Sequence, residues 1–142
     1  CAVSSCPVGV DIEKEKENIH PGVSRFFSDK EQKRLEESKD PAGRFFDYWV
    51  LKESYMKAVG TGFTKSPRSF SIYMENETYR VSDEGESKDY DFYLYSIPKG
   101  YRLAVCGGRA EKPGKEMDLD DEGLGARAKI PIPQEIILPE QF

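Results

Sequence analysis

The sequence predicts an α+β fold, an antiparallel sheet packed against two or three helices. Three features carry this reading. Two helix-start signals stand close together, at Ser28 and at Asp40. A helical periodicity then runs from Pro41 to a stop at Gly60. From Ser69 onward, apolar residues recur at period two between turn-forming residues, as half-buried strands require.

Taken in chain order, Cys1-Ala2-Val3 and Val8-Gly9-Val10-Asp11-Ile12 form the arms of a predicted β-hairpin, with Pro7 at the edge of its turn. Glu13 to Asn18 is a charge run, read as a solvated connection, and His20-Pro21-Gly22 is a turn. Val23 to Phe27 is a short helical piece burying two phenylalanines. Ser28-Asp29-Lys30-Glu31 has the capping-box pattern and opens a helix to about Ser38. Asp40 caps the next helix, with Pro41 at its first position, and Gly60 ends it after Val59. Phe45, Tyr48 or Trp49, Lys52, Met56 and Val59 form its core-facing stripe. Four strands follow, Phe70 to Met74, Thr78 to Val81, Tyr90 to Ile97 and Tyr101 to Cys106, with turns at Asn76 and at Pro98-Lys99-Gly100. Residues 1–106 thus make one folded unit. Residues 107–142, rich in glycine, proline and charge up to Lys129, make a mobile tail with a possible edge strand at Glu135-Ile136-Ile137-Leu138.

A chain of 142 residues is one ordinary domain in size. A net charge of −5, with both signs interspersed, argues against a nucleic-acid binder but leaves room for a local basic pocket. No apolar run approaches a membrane span, and no signal-peptide pattern opens the chain. Cys1, Cys6 and Cys106 are too scattered for a disulfide framework or a zinc site, so reduced thiols in a cytoplasmic protein are expected.

The chemistry gathers at two stretches. Asp11 and Glu13 stand two residues apart on a strand and therefore share a face, with Val10 and Ile12 expected to point the other way, into the core. Like charges so close raise each other's pKa unless a cation lies between them, and magnesium, a hard ion taking carboxylate, phosphate and water oxygens, suits the place. On the long helix Glu53 could reach the same ion. Lys57, one turn on, would flank a phosphate, and Lys52 could serve a second. Singly these features are ordinary: Asp-x-Glu strands are common, and a Lys–Glu pair on a helix is usually a solvated ion pair. Together they describe metal-assisted phosphoryl transfer.

The chain resembles the phosphopantetheinyl transferases, especially the surfactin-synthetase-activating type. The likeness rests on Val8-Gly9-Val10-Asp11-Ile12-Glu13, on Phe26-Phe27-Ser28-Asp29-Lys30-Glu31, and on Trp49 through Gly60, which match three motifs of that family in order and at similar spacing. The resemblance implies that a carrier-protein serine attacks the phosphorus of coenzyme A that bears the pantetheine arm. The products are then holo-carrier protein and adenosine bisphosphate. By position Asp11, Glu13 and Glu53 would ligate magnesium, and Lys57 would stabilise the pyrophosphate, with Lys52 assisting. The serine proton would go to Glu53, to Glu31 or to a metal-bound water, although Glu31 is equally a capping-box residue. Phe26, Phe27 and the basic Lys30, Lys33 and Arg34 would meet an acidic acyl or peptidyl carrier protein.

Members of this type have two similar lobes with coenzyme A between them, and this chain resembles the second, C-terminal lobe only. The Gly-Lys-Pro and Ser-His stretches expected of the first lobe do not occur. Three expectations account for that: the chain is a fragment, the reading the start at Cys1 favours; it self-associates; or it is a lobe that binds carrier protein or metal without turnover. A non-enzymatic interaction domain and a magnesium-dependent phosphohydrolase are the rivals from other classes.

Overall fold

A computed structural model of the chain describes residues 6–16, 19 and 21–108. The predicted strand at Cys1-Ala2-Val3, His20 and the tail beyond Gly108 lie outside the described residues. The elements run β1 (Val8–Lys14), a 3-10 turn (Pro21–Phe26), α1 (Asp29–Glu36), α2 (Pro41–Ala58), β2 (Phe70–Glu75), β3 (Thr78–Asp83), β4 (Glu86–Lys88), β5 (Tyr90–Ile97) and β6 (Tyr101–Gly108). The α+β class is as the sequence predicts.

The strands form two three-stranded antiparallel sheets, ordered β1-β6-β5 and β2-β3-β4, where one sheet was expected. The difference comes from β4, a strand too short to show a period. Glu84 and Gly85 adopt left-handed conformations (φ 55° and 81°) and fold β4 back on β3, ending the second sheet before β5 begins. The turns read from sequence are present. Asn76 and Glu77 (φ 48° and 61°) join β2 to β3, and Lys99 and Gly100 (φ 69° and 75°) join β5 to β6.

Both helix starts form as their residues dictate. Ser28 N donates to Glu31 Oε2 at 2.8 Å, closing the capping box from the glutamate side. Gly43 N donates to Asp40 Oδ1 at 2.9 Å, with Pro41 leading α2. Gly60, in the left-handed region (φ 73°), follows the end of α2. This helix packs against strands of both sheets, so a single stripe understates its burial. Every residue from Val50 to Met56 is buried, and Leu51, Tyr55 and Met56 join Phe27, Phe70 and Ile72 in the core.

The two faces of β1 are the reverse of the expectation. Gly9 and Asp11 are buried against α2, whereas Ile12 is 37% exposed and Val10 only half-buried. The cause is Gly9. A Cβ at this position would collide with the carbonyl oxygen of Ser54 and stand 2.5 Å from the amide nitrogen of Ala58. The missing side chain lets the helix lie directly on the strand face that carries the acids. Val10 and Ile12 therefore share the outer face with Val105 and Leu103 of β6 and Tyr93 and Tyr95 of β5, by register.

Candidate active site

The close approach of α2 to β1 brings Asp11 and Glu53 into one site. Asp11 is 7% exposed and Glu53 8%. One oxygen of each, Asp11 Oδ2 and Glu53 Oε1, is buried without a hydrogen-bond partner. The other Asp11 oxygen, Oδ1, accepts from Lys57 Nζ at 2.7 Å, and the same ammonium donates to Val10 O at 3.1 Å. Glu13 lies half-buried on the same strand face. Burial raises the Glu53 pKa above the ordinary glutamate value; the charge of Asp11 adds to this, Lys57 opposes it and Glu13 adds again.

Buried carboxylate oxygens with no donor are unusual, because an unsatisfied polar group in the interior costs about 1–3 kcal/mol. Two of them on facing elements make an acceptor set of the hardness magnesium prefers. Among the described residues no three Asp, Glu, His or Cys side chains converge as a ready-made cage. The candidate site is thus Asp11 and Glu53 with Glu13 at its margin. An ion held there would complete its shell with water or phosphate oxygens, which is how magnesium is usually bound.

Lys52 and Glu31 lie elsewhere. Lys52 Nζ donates to Pro67 O and Phe70 O, each at 2.7 Å, and lies 3.0 Å from Glu31 Oε2, with both side chains only 1% exposed. Glu31 also accepts from Ser28 N and, through Oε1, from Ile72 N at 2.7 Å. An ammonium has three donors, and all three are engaged. Burial pulls the Lys52 pKa below its ordinary value, and Glu31 opposes that pull. The phosphate role expected for Lys52 and the proton-transfer role expected for Glu31 are therefore corrected: the two residues form a closed structural pair joining α1, α2 and β2.

A sequence model described as the 4'-phosphopantetheinyl transferase superfamily matches residues 7–106, most of the described chain. The chain belongs to this superfamily. It is 32% identical over 117 residues to 4'-phosphopantetheinyl transferase Sfp of Bacillus subtilis (strain 168), an alignment covering 80% of this chain and 52% of that one. A second Bacillus subtilis relative, 4'-phosphopantetheinyl transferase ffp, is 38% identical over 117 residues, covering 79% and 51%. These relatives bear out the surfactin-synthetase-activating type, and the chain spans about half their length. Among solved structures, holo-[acyl-carrier-protein] synthase of Thermotoga maritima superposes with a TM-score of 0.59 at 18% identity, over 71% of this chain and 61% of that one. The holo-(acyl-carrier-protein) synthase of Bacillus anthracis, solved in complex with CoA (3',5'-ADP), gives 0.54 at 20% identity, over 71% and 93%. Both likenesses establish the fold.

Within the family framework the remaining expected residues divide. Phe27 is fully buried and faces Phe45 and Tyr48, so the expectation that it meets a carrier protein is corrected. Phe26 remains half-buried, edge-on to Trp49 at 5.8 Å, with the Arg25 guanidinium 5.1 Å over its ring. Trp49 stacks on Phe45 one turn before Glu53, so it buttresses the helix at the site's edge. Lys30, Lys33 and Arg34 are exposed, and Lys33 pairs with Glu37. Two supports had no separate sequence signal. Tyr55 OH donates to Asp83 Oδ2 at 2.9 Å, where Lys65 Nζ also lies at 2.9 Å, tying α2 to β3. Arg102 of β6 lies between Glu15 (2.6 Å) and Asp47 (3.3 Å), tying the end of β1 to α2. Gly9 did have a signal, a glycine inside a β-branched strand.

Proposed function

We propose that the chain is a lobe of a 4'-phosphopantetheinyl transferase that moves phosphopantetheine from coenzyme A to a serine of an acyl or peptidyl carrier protein, with magnesium. The observation that carries this reading is the pair of buried, donor-less oxygens on Asp11 and Glu53, with Lys57 held on the other oxygen of Asp11. In this reading the two carboxylates hold magnesium, with Glu13 assisting. The bound ion would supply charge stabilisation at the pyrophosphate. Lys57 contributes an ammonium to the same anion as a point charge. The serine oxygen forms the new bond to the phosphorus bearing the pantetheine arm, and the bond from that phosphorus to adenosine bisphosphate breaks. The hydroxyl proton goes to Glu53 or to a water beside it, since Glu31 is walled in. Arg25 and Phe26, with Lys30 and Arg34, supply a basic and aromatic surface for an acidic carrier.

No helix among the described residues is long and apolar enough to cross a membrane, and we read the setting as cytoplasmic. Because the chain spans half of its relatives' length, a second copy of it, or a separate first lobe, would complete the coenzyme site.

The test is to incubate the chain with an apo acyl carrier protein, coenzyme A and magnesium, and to weigh the carrier by intact mass spectrometry. The expected result is the gain of one phosphopantetheine, with the chain alone or with an added first lobe. Asp11→Ala and magnesium-free samples should gain none. No gain in either format, with magnesium binding unchanged in Asp11→Ala, would leave a non-catalytic lobe as the reading.

A further inference from the structure

We propose that Lys57 is the built-in counter-ion of Asp11, that a divalent cation taking the donor-less Oδ2 competes with it for the charge of the same carboxylate, and that cation binding thereby loosens the ammonium toward an anionic ligand. The inference rests on the reading of Asp11 and Glu53 as a cation site. It adds an order of events that the assignment of a lysine to a phosphate does not contain.

The geometry argues it in three steps. First, Lys57 is not poised over open solvent. Its ammonium binds Asp11 Oδ1 at 2.7 Å and Val10 O at 3.1 Å, so two of its three donors point into β1. Second, the contact is one-sided. The Asp11 carboxylate is 9% exposed but the lysine side chain is 48% exposed, so the acid is fixed and the lysine can leave. The backbone near the root of that lysine is held as well: a Cβ on Gly9 would lie 3.0 Å from Lys57 Cβ, so movement must occur along the flexible stem. Third, Asp11 Oδ2 and Glu53 Oε1 have no donor at all. A cation seated between them sits beside Oδ1 and repels an ammonium already bound there. The two positive charges oppose each other across one carboxylate, and the exposed lysine is the one able to move. Lys52 is the counter-example on the same helix, with every donor engaged and its side chain 1% exposed.

Competition makes a prediction opposite to that of a lysine which merely supports the site. Cation binding would be measured on the chain without coenzyme A, by manganese electron paramagnetic resonance and by calorimetry with magnesium. Lys57→Met should bind the cation more tightly, by about tenfold, within the usual span of coupling between two sites. Lys57→Arg, which holds a carboxylate with a two-pronged fork, should bind it more weakly than the wild type. The arginine variant keeps the charge and guards against loss of folding in the methionine variant. Equal or weaker binding by Lys57→Met, with binding abolished in Asp11→Asn, overturns the competition and leaves the cation site standing. Cation binding that is absent from the wild type, or unchanged in Asp11→Asn, removes the site itself and this inference with it.

Discussion

Helix α2 carries two lysines five residues apart, and each meets a carboxylate from another element, yet the two pairs are built differently. Lys52 and Glu31 are enclosed, with every ammonium donor engaged and both carboxylate oxygens accepting backbone amides. Lys57 and Asp11 meet at the rim, where one carboxylate oxygen has no donor and the lysine stem lies half in solvent. A satisfied buried pair can specify a fold but has nothing left to offer a ligand. An incompletely satisfied pair at an edge gains from binding something. Residue type and spacing alone do not separate the two pairs. An unmet buried acceptor marks Asp11 as able to take a ligand, but Asp83 Oδ1 is also unmet, so the criterion counts only together with the second unmet oxygen, that of Glu53, on the facing helix.

Breaking the enclosed pair should have the largest effect. Lys52→Met leaves the Glu31 charge buried beside two amides, and urea unfolding should show a loss of about 3–5 kcal/mol. Glu31→Gln combined with Lys52→Met removes both charges and should recover more than half of that loss. At the open pair, Lys57→Met should cost less, about 1–2 kcal/mol in the same assay, because the half-exposed lysine is partly solvated although Asp11 Oδ1 loses its donor. A comparable loss at both sites would erase the contrast. Next in size is Gly9→Ala, whose methyl group collides with the backbone of α2. Moving β1 off the helix should cost about 1–3 kcal/mol in unfolding experiments and should weaken cation binding, because Asp11 moves with the strand.

A smaller effect sharpens the open site through pH. Because the folded-state pKa of Glu53 is raised above its ordinary 4.5, the folded protein binds this proton more strongly than the unfolded chain does. The associated stability is fully present below pH 4.5 and is lost as pH rises through the folded-state pKa. Without added metal, Glu53→Gln should flatten that decline, so thermal melts of variant and wild type should diverge upward from the ordinary value. A wild-type curve equally flat over this window would show that Glu53 is not strained by burial. The smallest effect belongs to Lys33→Ala, which removes a pair exposed on both sides and should shift stability by less than about 0.5 kcal/mol.

Much of this architecture was legible in the residues. Asp40-Pro41 and Gly60 bounded α2 because their backbone preferences act locally, and the turns at Asn76 and Gly100 follow for the same reason. The short β4 was not legible, since three residues cannot display a period. Nor was the orientation of β1. Alternation says that Asp11 and Val10 lie on opposite faces; hydrophobicity then assigns Val10 and Ile12 to the interior, and it does so wrongly. Gly9 overrides it by admitting the helix onto the acidic face.

The sequence by itself thus determined the α+β class, the helix limits and the set of acids and lysines from which a site can be made. These follow from the backbone preferences of single residues and the spacing of neighbours along one element. Only the tertiary structure decided which lysine is sealed and which is open, which face of β1 carries the site, and that Glu31 and Phe27 are interior. Those outcomes depend on how α2 packs against β1 on one side and, on the other, how α1 and residues 67–72 close around Lys52 and Glu31, and close packing between distant segments leaves no periodic trace in the chain.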